Sequence, residues 1–331
     1  MSDGTEPVLP DSGKALAAST GLGIMIAFMP LLAVVAVPAL PVPVAYITSR
    51  HGFLSGFLVS MLAGAICMGL TVPLLGVYAG LLIFVVLVFA GIGGGFAIKS
   101  GMPQFRLFML MVGIFFVTLF IWLGALLLVT GNDPVSAANA MFDTALEPSR
   151  EIYQQIGLSE QDIDSNISDA RDFASSLPYM APSLVLLVSF LFSGVNLALA
   201  RRSFERLHQP FPVDFLFRDF RVHWTFAYVF IFGLLCQLMV PYAPDTYSYA
   251  LELTGANVYL VTSVLFFIQG LAVASFFLRA YKLTRGKRLA VYAGLFLLEL
   301  ALSLTMWMGL FDTWLDYRHR FGKNKMQGTQ L

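Results

Sequence analysis

The sequence predicts an all-α fold, a polytopic transmembrane helix bundle of eight or nine spans with a mostly helical external loop. Three observations predict it. Of 331 residues, 58% are hydrophobic and only 12% charged, with a mean hydropathy of +0.77; a soluble domain is nearer half apolar and a quarter charged. Apolar runs of about 20 residues recur along the chain, the length needed to cross a hydrocarbon core roughly 30 Å thick. The cations fall in alternate connections between those runs. Backbone groups left unpaired cannot face lipid, so the spans are helical.

The N-terminus, MSDGTEPVLPDSGK, is acidic and lacks the basic n-region of a secretory signal, so the first apolar region, 15–49, is expected to be retained. Pro30, Pro38, Pro41 and Pro43 interrupt it, and each removes a backbone donor. It reads as one full span followed by a half-helix that reaches Arg50, or as two short spans. Further spans follow at 53–72, 74–98, 106–130, 180–200, 223–243, 257–279 and 288–310. Together they make a single integral membrane domain over 1–331. The segment 132–178 is polar and acidic, with Arg150 and Arg171 against nine carboxylates. Within it Ile152, Ile156, Ile163 and Ile167 recur near helical spacing, and Ser159 with Asp162 marks a helix start. Two short amphipathic helices on the outer surface fit this pattern, as a lid or partner-binding cap or as a solvated hairpin.

Orientation follows from the cations. Arg50, Lys99, Arg106, Arg201, Arg202, Arg206, Arg218, Arg221, Arg279, Lys282, Arg285, Lys287 and Arg288 are 13 of the 20 Lys and Arg, all in alternate loops. Those loops are cytoplasmic by the positive-inside rule, and the acidic loop is external. The basic tail (Arg318, Arg320, Lys323, Lys325) breaks the pattern, because an odd final crossing places it outside unless it lies along a membrane surface.

No catalytic, metal or cofactor signature emerges. His51, His208, His223 and His319 lie at span ends or in loops without ligand spacing, and Cys67 and Cys236 fall inside spans. The glycine-rich GIGGGFAIKSG closes an apolar helix where a dinucleotide loop needs a strand before it and a helix after it. Gly91 and Gly95 instead make a small-residue step that lets another helix approach closely. Gly52, Gly56, Ser60 and Gly64, four apart, form a similar stripe for packing within the chain or across a dimer. The basic, aromatic RRSFERLHQPFPVDFLFRDFRVHW sits between two spans and suits an interface with anionic headgroups better than nucleic acid. The partners expected are therefore the bilayer, other membrane proteins or a small-molecule ligand, and no nucleic acid.

VYAGLFLLELALSLTMWMGLF carries the one carboxyl that this reading places near mid-bilayer, Glu299. Burying it there costs on the order of 3 kcal/mol, and desolvation favours its neutral form. Tyr292, Glu299 and Ser303 share a helical face, Gln269 lies at nearly the same depth in the preceding span, and Gln237 sits in the span before that. The three spans are expected to bring the carboxyl and two carboxamides toward one region, while Asn196 lies near the inner end of an earlier span. The result is a ligand or proton site, or interhelical hydrogen bonds worth about 0.6–2 kcal/mol each.

The proline-bearing PALPVPVAYITSRHG, the span end NLALARRSF followed by PFPVDF, and the terminal GLFDTWLDYRHRFG resemble the YybS-like family. That resemblance implies a multi-pass protein of the bacterial inner membrane and carries over no catalytic residue. The family is itself remotely similar to the substrate-binding S components of energy-coupling-factor vitamin transporters and to the rod-shape protein MreD. Two function classes follow. One is a small-molecule- or proton-binding, permease-like subunit centred on Glu299, driven by a partner or an ion gradient because no ATP-binding motif is present. The other is a non-catalytic scaffold for envelope assembly that uses the small-residue stripe, the basic inner loops and the acidic outer cap.

Overall fold

A computed structural model describes residues 8–131, 153–212, 216–281 and 283–320, with 136, 142, 143, 146 and 150 as isolated positions. Ile152, Lys282, Lys323 and Lys325 lie outside the described residues. No strand occurs among the described residues, and the protein is an all-α polytopic helix bundle. Seven helical stretches suffice in length and composition to cross a bilayer: 33–51, 53–75, 77–99, 104–129, 160–206, 225–242 and 246–280. An eighth is added if a pair of helices bent by 97° counts as one span. Contacts divide the chain into two compact units, Met1–Asp214 and Phe215–Leu331.

In the first unit the apolar region before Arg50 forms two helical arms, of which the second, 33–51, is long and apolar enough to cross a bilayer. Helix α1 (Val8–Phe28) ends ahead of a 3-10 turn at Pro30–Leu32, and α2 (Ala33–Ala39) and α3 (Val42–His51) follow. The start of α1 returns to the end of α3, where Asp11 lies 3.1 Å from Arg50 and 3.4 Å from His51. Prolines at 41 and 43 break α2 from α3 by withholding two N–H donors, and the Asn196 amide donates to the Pro38 carbonyl at 2.7 Å. Asn196 therefore serves a backbone gap within its own unit.

Helices α4 (Phe53–Leu75) and α5 (Val77–Lys99) clasp α3 through glycines. A Cβ on Gly56 would lie 2.9 Å from Thr48 Cβ, and one on Gly95 would lie 2.5 Å from the Ala45 carbonyl oxygen. On Gly91 it would meet Val44 at 2.6 Å, and on Gly64 the Phe84 ring at 2.6 Å. Ser60 is fully buried and bonds its own helix at Phe57. Gly52 serves the turn instead, with φ at +91° between α3 and α4. The small-residue positions of α4 and α5 thus take up neighbours from the same chain.

Helix α6 (Gln104–Thr130) packs against α8 (Ala181–Arg206), which follows α7 (Glu160–Ser176). Ser159 caps α7 by accepting from the Asp162 N–H at 3.2 Å, and Ile163 is its buried anchor.

The second unit holds α9 (Thr225–Met239), α10 (Asp245–Ala280), α11 (Arg285–Leu302) and α12 (Leu304–Leu315). α9 and α10 are antiparallel: a Cβ on Gly233 would meet Val258 and Tyr259, and one on Gly255 would meet Cys236 and Gln237. The expected continuous span 288–310 is instead broken at Ser303, which adopts the left-handed conformation at φ +51°.

Candidate functional site

The break at Ser303 frees backbone groups that lipid cannot satisfy, and the Glu299 side chain answers one of them. The Met306 N–H donates to the Glu299 carboxylate at 3.0 Å, and Thr305 Oγ1 donates to the Leu295 carbonyl at 3.1 Å. Glu299 is half-buried, and its carboxyl lies at the N-terminal end of α12, where the first N–H groups of a helix need acceptors. The carboxyl within this apolar stretch caps a helix. Glu299→Gln keeps an acceptor for Met306, whereas Glu299→Leu leaves that N–H orphaned at a cost of about 1–3 kcal/mol. Thermal denaturation in detergent is expected to spare the first variant and destabilise the second; equal losses would mean that the charge, not the acceptor, matters.

Past the break, α12 lies against α10 at backbone distance. A Cβ on Gly309 would come within 2.7 Å of the Gly270 nitrogen, and one on Gly270 within 2.9 Å of the Thr305 carbonyl carbon. An apolar cluster of Ala227, Phe230, Phe266, Met306 and Leu310 forms beside this contact. Phe230 packs edge-on against both Phe266 and Trp307.

Next to that cluster sits a buried polar centre. Gln269, only 1% exposed, donates to Asp312 at 3.2 Å and to Thr313 at 3.3 Å, and accepts from the Val222 N–H at 2.8 Å. Asp312 (3% exposed) and Arg318 (5% exposed) form an ion pair at 2.6 Å. The other arm of the Arg318 guanidinium donates to the Arg218 and Phe220 carbonyls at 2.8 and 2.9 Å. Asp312 Oδ1 and Arg318 Nε are buried without a hydrogen-bond partner. On an unbroken helix residues six apart point to different sides. They meet here because Asp316, left-handed at φ +43°, ends α12 and turns the chain back.

At the rim, Arg221 pairs with Asp316 at 2.6 Å. Burial pushes the Asp316 carboxyl up, but the hydrogen bond and charge of Arg221 outweigh it and hold the group below its ordinary value. A folded-state value below the unfolded one means that this pair stabilises at neutral pH and is lost as the solution is acidified through the carboxylate range.

The structure thus gives Gln269 a different carboxylate from the one expected. Its partner is Asp312, and Glu299 is engaged with Met306. Gln237 does not join them: it packs at Gly255, about four turns of α10 away from Gln269, roughly 21 Å by helical rise. Ser303 makes the break, and Tyr292 lies half-buried on α11. Asp312 and Arg318 were missed because their pairing depends on a chain reversal at Asp316. The signal available was an aspartate set among Leu, Phe, Trp and Leu in GLFDTWL. Among the described residues, no cluster of His, Cys, Asp and Glu is placed to hold a metal ion.

A family model described as predicted membrane protein, DUF2232, matches residues 17–313. The chain belongs to this family. It is also similar to the uncharacterized protein YybS of Bacillus subtilis (strain 168), with 21% identity over 260 residues, covering 77% of this chain and 79% of that one. No solved structure matches it. The family match takes in Gln269, Glu299 and Asp312 and stops short of Arg318.

Proposed function

We propose that the chain is a non-catalytic, multi-pass protein of the bacterial cytoplasmic membrane that binds a small polar solute or a proton as a transport-like subunit. The observation that carries this reading is the Asp312–Arg318 pair, almost wholly enclosed in an apolar unit and held by Gln269. Ionisable groups at such positions are costly and typically mark solute or proton pathways. A broken helix with a carboxylate at its new N-terminus is the second part of the site, since interrupted helices recur where transporters hold substrates and ions. The family description supports a membrane setting and the Bacillus relative a bacterial one. A scaffold would use the small-residue stripe as a docking face, but Gly56 and Gly64 are covered by Thr48 and Phe84 of the same chain. The stripe is therefore not available to a scaffold as a docking face.

Binding to the folded state raises stability by RT ln(1 + [L]/Kd), about 2.7 kcal/mol at a hundredfold excess over Kd. The test is thermal denaturation of the purified protein with the small-molecule fraction of a cell extract, repeated across pH. The wild-type protein is expected to be stabilised by the fraction, or to show a pH-dependent shift, that Asp312→Asn lacks. Identical responses of the two folded proteins would contradict the reading.

A further inference from the structure

We infer that α11 and α12 form a re-entrant hairpin, not a crossing, so that the C-terminus lies on the cytoplasmic side. The inference needs only the second unit and holds whatever its polar centre binds. Segment 216–222 leads directly into α9, and Val222 bonds Gln269. That segment therefore marks the end of the unit toward which α10 runs. α10 continues past Gln269 to Ala280, and α11 starts close by at Arg285. The chain thus leaves from this end.

It also comes back to it. Arg318 is held by the carbonyls of Arg218 and Phe220, and Asp316 by Arg221, all in the segment that precedes α9. Between departure and return, α12 meets α10 at Phe266, Gln269 and Gly270. By helical rise Phe266 is roughly 30 Å from the other end of α10 at Asp245, so α12 crosses α10 well short of that end. The 97° bend turns α12 across α10 instead of onward along α11, and the left-handed turn at Asp316 brings the chain end back to the segment before α9.

Charge fixes the side. Arg218, Arg221, Arg279, Arg285, Lys287 and Arg288 gather at this end, which is cytoplasmic by the positive-inside rule. The basic tail then stops being an exception. Arg320, exposed just beyond the buried Arg318, joins the other cations beside the anionic cytoplasmic leaflet instead of facing outward alone.

Two readouts on the full-length protein test this. A C-terminal green fluorescent protein fusion is expected to fluoresce, and a C-terminal alkaline phosphatase fusion to be inactive. Active phosphatase with a dark fluorescent fusion would overturn the inference. Single cysteines at His319, Gly286 and Ser168 are then treated with an impermeant maleimide in intact cells, the native Cys67 and Cys236 being buried. Ser168→Cys is expected to react, while Gly286→Cys and His319→Cys react only after permeabilisation. Labelling of His319→Cys from outside would show that the pair crosses the membrane.

Discussion

Arg318→Leu is expected to cost about 3–5 kcal/mol, because it leaves the Asp312 carboxylate buried without its cation. The pair is almost wholly enclosed, at 4% and 1% side-chain exposure, so solvent cannot replace the lost partner. The variant also releases the Arg218 and Phe220 carbonyls and so loosens the end of α12. A double variant, Asp312→Leu with Arg318→Leu, removes both charges and should recover much of the loss, since apolar replacements of a buried pair are often close to neutral. Chemical denaturation of the single and double variants in detergent measures this. If the double variant is no better than Arg318→Leu, the two charges do not act as a pair.

Gly309→Leu is expected to be nearly as damaging, at about 3 kcal/mol. Its new side chain would start on the backbone of Phe266 and Gly270, and a carbonyl cannot rotate away as a flexible side chain can. α12 must then lift from α10, which separates Gln269 from Asp312 and parts Trp307 from Phe230. Gly294→Ala in α11 is the control. A Cβ there meets nothing within 4 Å, and the change should be neutral or gain up to about 1 kcal/mol of helix propensity. Melting temperature and Trp307 fluorescence read both effects. Tolerance of leucine at 309 would mean that the two helices are not held at backbone distance.

What the sequence discloses about this molecule depends on the range of the interaction that decides each feature. The spans of α4, α5, α6 and α8 are legible because composition over about 20 residues settles them, and their ends shift by only a few residues in the structure. Ser159 is legible as a cap because its partner is three residues away. The break at Ser303 is not. LFLLELALSLTMW holds neither Gly nor Pro, and a serine in the left-handed region is stabilised by what surrounds it. Once that break is unseen, Glu299 looks like a stray acid and Gln269 its natural partner. The bond from Asn196 to Pro38 spans 158 residues. No local pattern announces it, although the prolines that create the need are plain.

The most direct test of the proposed function is to ask what the protein carries. Wild-type protein purified gently into lipid nanodiscs, together with folded Asp312→Asn and Arg318→Lys variants, would be extracted with solvent and compared by mass spectrometry. A small polar species retained by the wild-type protein and lost from both variants is the result predicted by a binding centre at Asp312, Arg318 and Gln269. Extracts that contain the same species from all three proteins, or lipid alone, would contradict a small-molecule site there and leave the buried pair as a structural bond between α12 and its own chain end.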